Sequence, residues 1–411
     1  MRSFLRGAFL ALLLALGACS SIPYERSGTL PAAARPPDGS PERAALNARV
    51  YDAAAGYVQR LFYREDLGGV DFAAQAAARR DAALAQADET GFYAELGALL
   101  DLLDDDHTYA RGPTERARYA ARKAGEAQDG YGMVLTVVGE DWLVAMVRPG
   151  TPAAEAGVLP GWEVLRIDGR PVQAAAPPLA GRTDEVVFLD EAGAERTLAL
   201  AARTLPPLPR REARRLEGDV AYLRFDDFDK PTLDWFSEQM RALAEAPPSG
   251  LVLDLRRNGG GSIDAAALVH AFLYPQRQEF AVLEGRLIDR RLYAPAPAHP
   301  YDGPLAVLTG PASASASELL AARVQETGRG QVVGQRTRGA VVGTRGIDLP
   351  DGGLLHVGMI VMTTAGGRAL EKTGVTPDVA VEIDWRAVRE GRDPELAAAL
   401  AALAARAALE G

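Results

Sequence analysis

The chain has 411 residues, 48% of them hydrophobic and 24% charged, a globular composition with enough length for two or three hydrophobic cores. A formal net charge of −10 argues against a nucleic-acid partner, and a single cysteine, Cys19, excludes any intrachain disulfide. Basic residues are overwhelmingly arginine; the only lysines are Lys123, Lys230 and Lys372.

At the N-terminus Arg2 and Arg6 precede an apolar run from Ala8 to Leu16, which ends in Leu16-Gly17-Ala18-Cys19. A basic stretch, a short apolar stretch and small residues before a cut are a secretory signal, and the run is too short to span a membrane comfortably. Leu-Gly-Ala-Cys resembles the bacterial lipobox. That resemblance implies removal of residues 1–18, lipidation of Cys19 and a membrane partner through the N-terminal lipid. Ser20 follows in place of a retention aspartate, which favours the outer membrane, with the protein facing the periplasm. An ordinary signal peptide with a chance cysteine is the alternative. Residues 19–45, rich in Pro, Ala, Ser and Gly, read as a flexible tether.

Residues 46–128 read as a helical region. Val50, Ala54, Tyr57, Val58 and Leu61 recur at helical spacing, and a second helix over Tyr93–Leu103 ends in Asp104-Asp105-Asp106-His107. The aspartates suit a solvated helix end, and no metal is expected.

Residues 129–204 turn to short strands: 130–138, 141–147 and, after Pro149–Val158, a strand following Pro160-Gly161-Trp162. Several pieces in order resemble a PDZ domain of the circularly permuted bacterial kind, although Trp162 stands where an aspartate is common. The resemblance implies a peptide site at Tyr131-Gly132-Met133-Val134. A chain end would add there as an extra strand, with its carboxylate on backbone N–H groups. A purely structural β domain is the plain alternative.

Residues 205–385 alternate strands and helices. Strands are expected at Val220–Phe225, Leu251–Leu255, Leu305–Thr309, Val332–Val333 and Leu354–Thr363, and helices at 233–246, 262–273 and 317–327. That alternation argues for an α/β core. Tyr274–Asp302, with its Pro and His, reads as an excursion, and 386–411 as a terminal helix. The fold class is therefore α/β and β multi-domain.

Two features carry chemistry. Pro311-Ala-Ser-Ala-Ser-Ala-Ser-Glu318 lies on a strand-to-helix turn, where a serine hydroxyl can stand at a helix N-terminus. Leu251–Leu255 runs into Arg256-Arg257-Asn258-Gly259-Gly260-Gly261, a glycine loop with free N–H donors. A nucleophile beside an anion-binding loop suggests acyl transfer.

These motifs, with Val332–Gly339, Gly374-Val-Thr-Pro-Asp378 and the PDZ-like insert, resemble the serine peptidases of the C-terminal-processing (tail-specific) and tricorn-core-like family. The resemblance makes Ser315 the nucleophile, with Ser313 and Ser317 as fallbacks, and gives the oxyanion hole to Ala316 with an N–H from Gly259, Gly260 or Gly261. One branch of that family uses a lysine where this chain has Ala340. The tricorn-like branch uses a histidine in a motif resembling Leu103-Asp-Asp-Asp-His107-Thr108, which implies His107 as the base. Glu371, ahead of Gly374, would orient the imidazole. His107 could instead interact with a helix dipole, and Glu371 with Lys372 or Arg368. His270, His299 and His356 read as packed or surface residues, and Glu326 as structural.

The expectation is a lipid-anchored serine peptidase that needs no cofactor and acts on polypeptides with unstructured ends. A catalytically silent peptide-binding scaffold on the same fold is the competing reading.

Overall fold

A computed structural model describes residues 35–410. The stretch read as a signal and a lipidation site, up to Cys19, lies outside the described residues. The described chain forms two compact units: the segment up to Arg116 with Thr344–Gly358, and Ala117–Gly343 with Met359 onward.

In the first unit Pro41–Leu61 forms α1. Ser40 caps it by accepting from Arg43 N at 3.1 Å, and Pro41 supplies a pre-set φ at the first position. Leu46, Val50, Ala54 and Val58 form its buried stripe. The helix begins inside the stretch expected to be tether up to residue 45. Helices α2 (Phe72–Leu84) and α3 (Glu89–Leu100) follow, capped by Asp71 and Asp88. After α3 a short 3₁₀ turn, Asp101–Leu103, ends with Asp104 in a left-handed conformation. The strand β1 (Tyr109–Arg111) pairs antiparallel with residues 354–356, Tyr109 opposite His356. The expected all-helical region thus takes a strand partner from about 250 residues downstream, which no local periodicity could announce.

Helix α4 (Pro113–Lys123) leads into the second unit. Its β part begins with β2 (Gln128–Gly130), β3 (Met133–Val138) and β4 (Asp141–Val147), then a single helical turn, α5 (Pro152–Glu155). It continues through β5 (Glu163–Ile167), β6 (Thr183–Leu189), β7 (Glu195–Ala201) and β8 (Arg203–Leu205). Strands β3 to β7 form an antiparallel sheet in chain order, with β3 at one edge. The β2–β8 ribbon ties the chain entering this sheet to the chain leaving it. Tyr131, Val144, Val164, Val186, Phe188 and Leu200 fill its core. Trp162 packs edge-on to Phe188 and donates its indole N–H to Glu191 at 2.5 Å.

The core follows in chain order: β9 (Arg211–Leu216), β10 (Val220–Phe225), α6 (Lys230–Glu245), β11 (Gly250–Asp254) and α7 (Ile263–Ala271). Next come β12 (Gln278–Gly285), β13 (Ile288–Ala294), β14 (Leu305–Thr309), α8 (Ala316–Glu326) and β15 (Gln331–Gly334). The chain ends with β16 (Val342–Asp348), β17 (Leu354–Thr364), β18 (Val379–Ala380), α9 (Trp385–Arg389) and α10 (Pro394–Glu410). One sheet runs β18-β15-β14-β11-β10-β9, with only β9 antiparallel to its neighbour. Every residue of β10, β11 and β14 is buried, as a parallel sheet covered on both faces requires. Leu223, Leu253 and Val307 face one cluster with residues of α6, α7 and α8. Tyr222, Val252 and Ala306 face the other, with Ala399 and Leu403 of α10.

The segment expected as an excursion, Tyr274–Asp302, contains the β12–β13 hairpin. Phe280, Ala281 and Leu283 are buried, and β12 pairs with the C-terminal half of β17.

Candidate active site

The strand β14 ends at Thr309, and the turn from Gly310 to Ser315 delivers the chain to α8. Three serines occupy this turn region. Ser313 is fully buried; its Oγ donates to Leu255 O at 2.7 Å and accepts from Gly310 N at 3.0 Å. Ser317 is fully buried and donates to Asn258 O at 2.9 Å. Both hydroxyls are committed to holding the turn against the glycine loop. Ser315 is the one of the three that is not buried.

The backbone of Ser315 has φ 56° and ψ −117°. A non-glycine residue in such a region costs about 1–3 kcal/mol and persists only where its surroundings impose it. Gly260 comes close on one side: a Cβ there would stand 2.8 Å from Ser315 Cβ and 3.3 Å from Ser315 Oγ. Gly260 also has φ +100°, so both its conformation and its space require glycine. On the other side Ser315 N donates to Glu318 Oε2 at 2.8 Å.

Glu318 is wholly buried and organises the turn. Its Oε2 also accepts from Ala340 N at 2.8 Å, while Oε1 accepts from Thr337 Oγ1 at 2.5 Å and Gly339 N at 2.7 Å. Thr337 Oγ1 accepts in turn from Val375 N at 2.6 Å. One carboxylate therefore joins the serine to the segment 337–340. Ala340 itself is buried, with its N–H spent on Glu318. Glu318 was legible in the sequence only as the last letter of a motif, and Asn258 only as the residue before the glycines.

Asn258 is fully buried and links the two loops. Its carbonyl accepts from Ala314 N and Ser317 Oγ, and its Oδ1 accepts from Gly260 N at 2.9 Å. Among the oxyanion candidates, Gly260 thus already has its N–H engaged. Gly259 and Gly261 are exposed, and the Ala316 N–H, first in α8, has no intrahelical acceptor.

Glu371 lies in the same unit as Ser315. Its Oε2 accepts from Val341 N at 2.6 Å, so it anchors the residue after Ala340. Lys372 follows with φ 57° and donates its N–H to Gly339 O at 2.7 Å.

His107 belongs to the first unit and sits half-buried on the turn after Asp104. That turn is pinned from below: Thr108 Oγ1 donates to Asp105 Oδ2 at 2.5 Å and accepts from Gly358 N at 2.9 Å. Two other histidines are poor bases. Burial, with Arg323 nearby, lowers the His270 pKa to about 3, and burial with Arg111 and Arg116 lowers that of His356 to about 4. His270 packs on Tyr274 and Phe280, and His356 stacks on Tyr109. His299 is exposed beyond β13. Glu326 accepts from Arg323 at 2.6 Å and from the Thr364 hydroxyl.

In the β part, Gly132 has φ +86°, and a Cβ there would overlap Thr151. Residues 131–135 line a cavity of about 730 Å³ together with Lys123, Arg148, Arg210, Asp227 and Arg257. A second cavity of about 410 Å³ lies beyond Val134 and Leu135, against Tyr222, Asp254 and Trp385. Asp254 is buried, which opposes its ionisation. The Arg256 charge and hydrogen bonds from Arg256 and Tyr222 nevertheless hold its carboxyl below the usual range.

The family description "Peptidase family S41" matches residues 219–381. The chloroplastic C-terminal processing peptidase of Tetradesmus obliquus is 30% identical over 325 residues, covering 71% of this chain and 68% of its own. The carboxyl-terminal-processing protease of Picosynechococcus sp. is 29% identical over 302 residues, covering 70% of this chain and 72% of its own. Among solved structures, a photosystem II D1 C-terminal processing protease superposes with a TM-score of 0.61 at 25% identity, covering 82% of this chain and 93% of that one. The chain belongs to peptidase family S41, the serine-type carboxyl-terminal-processing peptidases.

Proposed function

We propose that the protein is a lipid-anchored peptidase of the cell envelope that cleaves unstructured polypeptides or C-terminal tails by serine–histidine acyl-enzyme chemistry. The observation that carries the reading is the turn itself. Ser315 stands at the start of α8 in a strained conformation that Glu318 and Gly260 impose, while Ala340 occupies the place of a lysine. Ser315 Oγ attacks the scissile carbonyl carbon as the His107 imidazole takes its proton. The N–H groups of Ala316 and of Gly259 or Gly261 stabilise the oxyanion. The imidazolium then protonates the leaving amine as the C–N bond breaks, and water, activated by the same base, releases the acyl group. Glu371 orients the imidazole while anchoring Val341.

The Tyr131–Val134 loop, at the start of an edge strand, captures the chain end in the manner of a PDZ domain. An edge strand has unpaired N–H and C=O groups that can accept an extended peptide, and the adjoining cavity gives it room.

Labelling by a serine-directed phosphonate tests the chemistry. It should be lost in Ser315→Ala and fall by at least a hundredfold in rate in His107→Ala. Labelling that survives Ser315→Ala refutes the nucleophile. A wild type that never labels, yet binds peptides, speaks for a silent scaffold. The anchor is tested separately: Cys19→Ser should leave the membrane fraction and keep its peptidase activity, and a variant that stays membrane-bound after signal removal refutes lipidation.

A further inference from the structure

The chain enters the β part past Lys123, at the end of α4, and leaves it past Arg210, between β8 and β9. Both residues converge on one carboxylate. Asp227 Oδ2 pairs with Lys123 Nζ and with Arg210 Nη2, the latter at 3.3 Å. The two connections are also tied to each other, since Arg210 Nη1 donates to Lys123 O at 3.1 Å. Arg210 O accepts from Asp226 N at 3.0 Å, which fixes the same connection to the end of β10.

Asp227 lies against the glycine loop. A Cβ on Gly261 would stand 2.8 Å from Asp227 Oδ1 and 2.6 Å from Phe228 O. Phe228 brackets Gly261 by donating its N–H to Gly260 O at 2.9 Å and accepting from Ser262 N at 2.8 Å. The Asp227 Oδ1 atom is buried and makes no hydrogen bond among the described residues. The carboxylate thus has one oxygen on the two connections of the β part and the other against the backbone of the glycine loop. The cavity of about 730 Å³ is lined by Asp227, Lys123 and Arg210 together with the Tyr131–Val134 loop.

We propose that Asp227 is a positioning residue through which the β part, and a polypeptide occupying the cavity beside it, sets the geometry of the Gly259–Gly261 donors. This rests on the reading of that loop as the oxyanion hole. A displacement of either connection moves Asp227, and Asp227 cannot move toward Gly261 without pushing the loop, because only a glycine leaves room for it. The unpaired oxygen leaves the carboxylate free to follow its two cations without breaking a bond to the loop. The consequence is specific to the chemical step. Disturbing the tie should alter the donors that stabilise the transition state and leave the peptide's hold on the β part largely intact.

The test uses the full-length protein. Active sites are titrated to completion with a serine-directed phosphonate, and kcat and KM are read per titrated site on a quenched unstructured peptide. Asp227→Asn should lose tenfold or more in kcat per titrated site, with KM changed less than threefold; the double variant Lys123→Met/Arg210→Met, whose side chains also line the cavity, should lose as much in kcat per titrated site whatever its KM. A substitution that acts only through folding would lower the number of titrated sites and leave kcat per site at the wild-type value. That result overturns the inference, as does a loss confined to KM. Ser315→Ala is run alongside; turnover surviving there removes the oxyanion assignment itself and the inference with it.

Discussion

Replacing the buried Glu318 by glutamine probes the turn most sharply, because the side chain keeps its size and loses only its charge and one acceptor oxygen. Four groups converge on the carboxylate: Ser315 N and Ala340 N on Oε2, Thr337 Oγ1 and Gly339 N on Oε1. An amide presents an NH₂ to one of those pairs. Facing Ser315 and Ala340, it would leave two buried N–H groups without acceptors. Facing Thr337 and Gly339, it would orphan Gly339 N, and the Thr337 hydroxyl would have to reverse its donation. Either way at least one buried N–H loses a hydrogen bond to a charged acceptor, worth about 1.5–3 kcal/mol, and the bonds that remain fall on a neutral amide. Glu318→Gln should therefore cost about 2 kcal/mol or more, a fall of roughly 4–8 °C in Tm at about 2–4 °C per kcal/mol. Because Ser315 N is one of the four anchored groups, kcat should drop at least tenfold as the strained serine relaxes. Thermal unfolding and peptide turnover read the two effects together. A variant within 2 °C and twofold of the wild type would refute the claim that this carboxylate imposes the conformation of Ser315.

Gly260→Ala should fold and yet lose at least a hundredfold in turnover, since its Cβ would collide with Ser315 Cβ and Ala314 O, at 2.8 and 2.9 Å; near-normal turnover would mean that the two loops separate freely. Stability should fall on acidification through His270. Its folded pKa of about 3 lies below the ordinary 6.5, so the folded state binds fewer protons, and stability present above pH 6.5 is lost as pH drops toward 3. The loss is about 2 kcal/mol at pH 5. Urea midpoints at pH 7 and pH 5 measure it, and His270→Leu should flatten the dependence; an unchanged slope in that variant would assign the acid sensitivity elsewhere.

Much of the core was legible because its strands are buried on both faces. Val220–Phe225 is apolar but for Arg224, Leu305–Thr309 is apolar up to Thr309, and their bounds in the structure match those read from the residues. The β12–β13 hairpin escaped because β13 carries exposed Asp289, Arg290 and Arg291 in succession and the flanks hold Pro and His, so neither alternation nor an apolar run stands out. The pairing of β1 with residues 354–356 was invisible for a different reason: β1 has only three residues, and nothing local records a partner so far along the chain. At the site, three serines in alternation could not be ranked by type, and burial separates them, since Ser313 and Ser317 spend their hydroxyls on Leu255 and Asn258. Glu318 showed only as the last letter of a motif and Asp227 not at all, because a carboxylate's role depends on which N–H groups and cations the fold brings to it.

The central claim is that Ser315 acts with His107 as its base in a chain that lacks the dyad lysine. The most direct measurement is turnover of a quenched unstructured peptide by wild type, Ser315→Ala, His107→Ala and Lys372→Ala. Activity should be abolished in the first two variants and retained within threefold in Lys372→Ala. Activity that survives His107→Ala and disappears in Lys372→Ala would contradict the claim and assign the proton transfer to the lysine.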